Sequence, residues 1–345
     1  MRDPIQRYMH RSARFERGHR LRMMTAFETF DLAIVAYRAI ARDVLPRAVF
    51  PAALSAIAIN FTISFVFPAL WQTNNPDQVG LQILEFIGVI ALGLVVAFPL
   101  FAFGVAWCAG MTTRMVAAWL QGKEWDGNAV ERETLRNAGP SMLNVVFAGL
   151  HASSGLLICV LLLIVSGLIA EFLPQTRGTA GVLATVAVSG LWLGGLLFAY
   201  LVARLSLAIP AAIVENLRPK DARARSAQLM RREGILPSGY NSAVGQWFLA
   251  SFVLLALALG FSTILQLVGG VMGLEAFVDR SLFGAILGAT LGALPWLLGF
   301  WLLIPGLATG LTVLYFERRV RMEGYDIEQL ANDLHDRRRR FDVRA

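Results

Sequence analysis

Residues 200–235 read YLVARLSLAIPAAIVENLRPKDARARSAQLMRREGI, and the fold turns on how this stretch is understood. It begins inside an apolar run, carries Arg204 down one helix, meets Pro210, and ends in a strongly basic segment. Apolar sequence running into clustered arginine is the pattern of a membrane span reaching its cytosolic flank, where Lys and Arg accumulate. The stretch therefore predicts a junction between a membrane-embedded part and a cytosolic part.

The composition agrees. The chain has 345 residues, is 56% hydrophobic and 16% charged, and has a mean hydropathy of +0.58. Soluble domains are about 45–50% apolar and about 25% charged, so both departures point into the bilayer. The formal charge of +7 is nearly all arginine, with Lys123 and Lys220 the exceptions. This excess sits in short segments flanking apolar runs, which membrane orientation explains better than nucleic acid does. Cys108 and Cys159 both lie in apolar segments and give neither a disulfide framework nor metal spacing. The first 47 residues are arginine-rich and show no apolar stretch followed by a small-residue cleavage site, so no signal peptide is expected.

Working outward, residues 1–24 read as a polar, basic tail. Thr25 then opens a helix, with Glu28 three residues on completing a capping box. Phe27, Phe30, Ile34, Tyr37, Ala41 and Val44 follow at three- and four-residue steps and are expected to share one face of an amphipathic helix ending at Pro46. Six long apolar runs come next, at about 48–71, 83–109, 142–170, 180–206, 244–270 and 282–316. Each meets the requirement of about 20 residues for crossing the hydrocarbon. Lys and Arg number 10 in residues 1–47, 4 in 110–141, 7 in 204–243 and 8 in 317–345, while the other connectors hold only Arg177 and Arg280. That asymmetry places 29 of the 31 basic residues, and both termini, on the cytosolic side.

The expected fold is thus an all-α polytopic membrane protein with six transmembrane helices and cytosolic amphipathic helices. The membrane domain would span residues 25–334, with a basic tail at 335–345. The second run is expected to continue helically through Met111, Met115 and Trp119, the fourth past Arg204 to Val214, and a further helix to begin at Pro219, where its missing N–H costs nothing. Phe98-Pro99, Ile209-Pro210 and Ile304-Pro305 hint at three related hairpins. Small residues four apart, at Gly190 and Gly194 and again at Gly284, Gly288 and Gly292, suit close packing of helices in lipid.

Few residues could carry chemistry. Arg204 is the most informative, because an arginine at the bilayer centre costs about 2.5–3.5 kcal/mol on insertion scales and must find a partner or the headgroups. Two readings stand: an anion or lipid-headgroup contact, or a snorkelling side chain paired with a backbone carbonyl or with Glu215, 11 residues on, which would share its face if Pro210 did not kink the helix. Asn60, His151 and Gln266 sit well inside their runs and read as interhelical hydrogen-bond partners, since no Asp, Glu or Lys accompanies them. No HExxH, GxSxG, Walker lysine loop or Cys–His cluster occurs, so no catalytic residue, cofactor or metal ligand is expected. The charges Glu215, Arg218, Arg223, Glu317, Arg319, Arg321 and Glu323 crowd the ends of the fourth and sixth runs and predict a cytosolic junction. Gly324 would cap the last helix, Asp326 would restart one, and Tyr325 would fold back beside Leu314 or Tyr315.

Three segments carry a resemblance: DLAIVAYRAIARDVLP before the first run, RLSLAIPAAIVENLRPKDARARS from Arg204, and LYFERRVRMEGYDIEQLANDL at the exit of the last. Together they make the chain similar, over about residues 25–334, to the bacterial six-helix family named for the membrane domain of glycerophosphoryl diester phosphodiesterases. The last motif, with Tyr315, Arg319, Arg321, Glu323, Gly324, Tyr325 and Asp326, is the most specific. The resemblance implies a multi-pass protein of the bacterial cytoplasmic membrane. It does not carry hydrolysis over, because His10-Arg11 and His19-Arg20 are followed by Ser12 and Leu21 rather than by glycine, and no Glu-x-Asp pair follows. The expected role is a non-enzymatic scaffold or accessory subunit in contact with membrane lipids and a protein partner in the membrane, not with nucleic acid. The alternative is a transporter or channel for a small or lipid-like solute.

Overall fold

The computed structural model describes residues 24–71, 93–172, 175, 177–231 and 282–325. Among them the chain is helical and contains no strand. The expected span at 244–270, with Gln266, and Asp326 and both terminal tails lie outside the described residues.

Helix α1 runs from Ala26 to Trp71, 46 residues, and begins with the capping box. The Thr25 N–H donates to Glu28 Oε2 at 2.8 Å, and the Glu28 N–H donates to Thr25 Oγ1 at 3.3 Å. The expected stop at Pro46 does not occur, and α1 passes through both Pro46 and Pro51. Each proline forfeits one backbone hydrogen bond, but tertiary contacts hold the segment. Trp301 Nε1 donates to the Leu45 carbonyl at 2.6 Å, and Arg47 donates to Asn128 Oδ1 at 2.8 Å. The expected buried face is also rotated. Phe27 is 70% exposed and Ile34 38%; of the expected face Val44 is fully buried, and beyond it Ala36, Ile40, Ala48, Ala52 and Ala56 are too. A four-residue step advances the stripe by about 40° on an α-helix. The stripe therefore winds around α1, serving more than one neighbour along its length.

A π-helical turn, Gly93–Ala97, leads into α2, Phe98–Leu120. As expected, α2 continues through Met111, Met115 and Trp119, and both methionines are fully buried. It stops in a Schellman turn: Gly122 is left-handed at φ 66°, and the Lys123 N–H reaches the Ala118 carbonyl at 2.8 Å. The backbones of α2 and α1 approach closely at Gly104. A Cβ there would lie 2.4 Å from the Pro51 carbonyl oxygen.

Helix α3, Gly127–Arg136, is capped by Asp126, whose side chain accepts from the Asn128 N–H. It is tied to α1 through Arg47, which donates to Asn128 Oδ1 at 2.8 Å, while the neighbouring Trp125 Nε1 donates to Asp43 at 3.1 Å. Helices α4 (Ala138–Phe172) and α5 (Arg177–Leu205) form an antiparallel pair. Gly155 faces Gly194, and Cys159 faces Gly190, where a Cβ would meet its sulfur at 2.9 Å. The expectation of glycine-mediated packing is met here.

The remaining elements are α6 (Ala208–Val214), α7 (Pro219–Arg231) and α8 (Leu282–Glu323). Pro99 and Pro210 stand near helix starts whereas Pro305 lies in the interior of α8, so the three Xaa-Pro pairs are not equivalent positions. Four of the described helical segments are long and apolar enough to cross a membrane: Val95–Leu120, Ala138–Gly167, Gly181–Val214 and Trp296–Glu323. The α4–α5 pair displays large apolar side chains outward, with Trp192 81%, Leu193 71% and Leu196 70% exposed. Such a surface suits lipid rather than water. The densely buried core lies instead at the arginine-rich end, where Ile40, Met111, Met115, Leu207, Leu229 and Phe316 pack together.

Candidate functional site

The site is built where α5 breaks into α6. Pro210 has no N–H to donate, and the helix interrupts at Ser206 and Leu207. Ser226 on α7 repairs the break. Its hydroxyl donates to the Arg204 carbonyl at 2.8 Å and accepts from the Leu207 N–H at 3.1 Å. One buried serine thus satisfies two groups that the interruption would orphan, and fixes α7 under α5. Helix α6 ends in a second Schellman turn. Asn216 adopts φ 52°, and the Leu217 N–H donates to the Ala212 carbonyl at 3.1 Å. Asparagine tolerates the left-handed region better than most residues. The turn holds Glu215 at the helix end, facing α7 and α8.

Glu215 is the hub. Arg225 grips it with Nε and a terminal nitrogen, each at 3.1 Å, Tyr315 donates its hydroxyl at 2.5 Å, and Arg319 lies 3.7 Å away. Arg225 also pairs with Glu323 at 2.5 Å, and Arg319 pairs with Glu323 at 3.1 Å across one turn of α8. Burial alone would lower the Arg225 pKa, but hydrogen bonds and charge from Glu323 and Glu215 outweigh it and raise the pKa above its ordinary value. Arg225 is thus a fixed cation.

Gly324, at φ 64°, ends α8 and sends its N–H to the Val320 carbonyl at 3.1 Å, as a capping glycine should. The chain then returns so that Tyr325 lies beneath Arg319, 4.0 Å from the guanidinium to the ring centroid. The Tyr325 ring packs on Phe316, with centroids 5.8 Å apart, rather than beside Leu314 or Tyr315 as expected. Its hydroxyl accepts from Gln121 at the end of α2. Arg321 bonds Glu317 at 2.8 Å and the Met24 carbonyl at 2.8 Å, fastening the start of α1 to the end of α8.

The structure brings together some, not all, of the charges that crowd the ends of the fourth and sixth runs. Arg319, Arg321, Glu323, Gly324, Tyr325, Glu317 and Glu215 all belong to this cluster. Arg218 is exposed, and Arg223 bonds the Pro219 carbonyl and lies over the Phe147 ring instead. Arg225 and Ser226 were missed. The buried face of α7, through Ala222, Ser226, Leu229 and Met230, points to them, because Arg225 flanks that stripe. Arg318 was missed as well. It is fully buried beside fully buried Glu317, at 3.3 Å.

Arg204 does not pair with Glu215. The break at Ser206 and Leu207 destroys the continuous phase that a shared face needs. The Arg204 side chain instead borders a cavity of about 740 Å³ together with Arg225, Gln228 and Glu323, over Leu229 and Met322. His151 is exposed, with its carbonyl accepting from Ser154. Asn60 lies in α1, on a stretch whose side chains are outside the described residues. Of the three intramembrane polar residues, only the His151 side chain falls among those the structure describes.

The chain matches no family model, no curated protein and no solved structure. The family resemblance therefore rests on the three sequence segments that carry it.

Proposed function

We propose that the chain is a non-enzymatic, six-span protein of a bacterial cytoplasmic membrane, with both termini in the cytosol. It acts as a scaffold or accessory subunit whose cytosolic helices dock a membrane partner or lipid headgroups. One observation carries this reading: the charged network around Glu215 ties α6, α7 and α8 into one platform at the arginine-rich end of the apolar helices. The side chains of this network are partly buried, so it fixes the mutual placement of the three helices. Transport has less support among the described residues. His151 points outward, and the α4–α5 contact is closed by Gly155 on Gly194.

The test is affinity purification from the native membrane, comparing wild type with Gln228→Glu, which places a negative charge on the platform. A scaffold retains a stoichiometric protein or lipid that the variant loses. Specific solute uptake into liposomes containing the purified protein alone would contradict the reading.

A further inference from the structure

We propose that Arg204 and the cavity beside it hold a phosphate group, either the headgroup phosphate of an anionic inner-leaflet lipid or a free phosphate ester. This deepens the platform reading and rests on its cytosolic placement.

Charge balance carries the inference. Glu215, Glu323, Arg225 and Arg319 form a closed set of two carboxylates and two guanidiniums, with contacts of 2.5 to 3.7 Å. Their formal charges cancel. Arg204 stands outside this set, and its guanidinium has no ion pair or hydrogen bond among the described residues. A guanidinium cannot shed its proton to escape this position. Partly withdrawn from water, it is stabilised by an anion, and its planar fork matches phosphate oxygens in pairs. Glu323 does not fill that role, since Arg225 and Arg319 already hold it.

The cavity suits such a ligand in other ways. Gln228 is exposed on its wall and offers amide donors, while Leu229 and Met322 supply an apolar floor for the glycerol or acyl stem. Arg204 lies within the Gly181–Val214 segment near its basic end. A lipid phosphate at the membrane surface would stand at that level.

The experiment uses the full chain in neutral detergent, with thermal midpoints followed while inorganic phosphate or glycerol 3-phosphate is added. A parallel arm reconstitutes the protein in phosphatidylcholine vesicles with and without phosphatidylglycerol. At least one probe should stabilise the wild type. Arg204→Gln and Gln228→Glu should each weaken that probe by about tenfold or more, the loss of one charge-assisted contact. Gln228 is exposed, so its variant remains informative if Arg204→Gln fails to fold. Arg223→Gln, whose guanidinium lies over Phe147 at 5.1 Å, should leave binding unchanged. Stabilisation by the soluble phosphates assigns a free ester; stabilisation only by phosphatidylglycerol vesicles assigns a headgroup. No response to any probe, or equal weakening by Arg223→Gln, overturns the site. If fusions still place Arg231 in the cytosol, the site falls alone; if they place it outside, the platform reading falls too.

Discussion

The Arg319 guanidinium lies 4.0 Å over the ring of Tyr325, six residues further along the chain, because Gly324 turns left-handed between them at φ 64°. A cation–π contact of this kind contributes about 0.5–1 kcal/mol at an exposed site and more when desolvated. It closes α8 back onto its own last turn, so the end of the helix forms one wall of the platform.

Gly324→Val should break that closure. The left-handed region costs an ordinary L-residue about 1–2 kcal/mol, and a β-branched residue is a worse fit. The variant should unfold at a lower temperature in detergent, and protease should cut sooner after residue 325. Arg339→Ala, in the terminal tail, should shift neither readout. Equal and negligible effects would mean that the return of Tyr325 has no structural consequence.

The Glu215–Arg225 pair should be strongly coupled. Glu215→Ala removes the acceptor for Tyr315 and leaves Arg225 and Arg319 to share Glu323 alone, at a cost of about 1–3 kcal/mol. A double-mutant cycle with Arg225→Ala should give a coupling energy of about 0.5–3 kcal/mol, the range for residues in one network. The Arg114–Glu133 pair is the comparison. The Glu133 side chain is 58% exposed, and its coupling should stay within about 0–1 kcal/mol. Equal couplings would place the two pairs in the same solvated class.

Much of the local chemistry was legible in the sequence, because caps depend on a few neighbouring residues. Thr25 with Glu28, Pro219 at a helix start and Gly324 at a helix end all act as their residue types predict. What could not be read depends on distant partners. Trp301 on α8 and Gly104 on α2 support α1 where Pro46 and Pro51 would weaken an isolated helix. The face that α1 buries follows from where those neighbours stand, not from where its largest apolar residues fall. The Arg204–Glu215 pairing assumed an unbroken helix, and the interruption held by Ser226 removes that phase. Arg225 was overlooked for a related reason. One of its two carboxylate partners, Glu323, stands at the end of α8, about a hundred residues away.

Helix contact at Gly104 should be intolerant of a methyl group. Gly104→Ala sets a Cβ 2.4 Å from both the Pro51 carbonyl oxygen and Ser55 Oγ, so α1 and α2 must separate. The expected loss is about 1–3 kcal/mol, as for other overpacked cores. Gly195→Ala, with nothing within 4 Å, should instead gain about 0.5–1 kcal/mol through better helix propensity. Thermal unfolding of both variants in one detergent should therefore shift in opposite directions; shifts of the same sign would contradict the close approach.

The central claim is that the arginine-rich platform faces the cytosol and that α4 and α5 form a membrane hairpin between two cytosolic segments. A reporter active only in the cytosol, fused in turn after Asp126, Gln175 and Arg231, tests it most directly. The account predicts activity after Asp126 and Arg231 and none after Gln175. Activity after Gln175, or silence after Arg231, would contradict it.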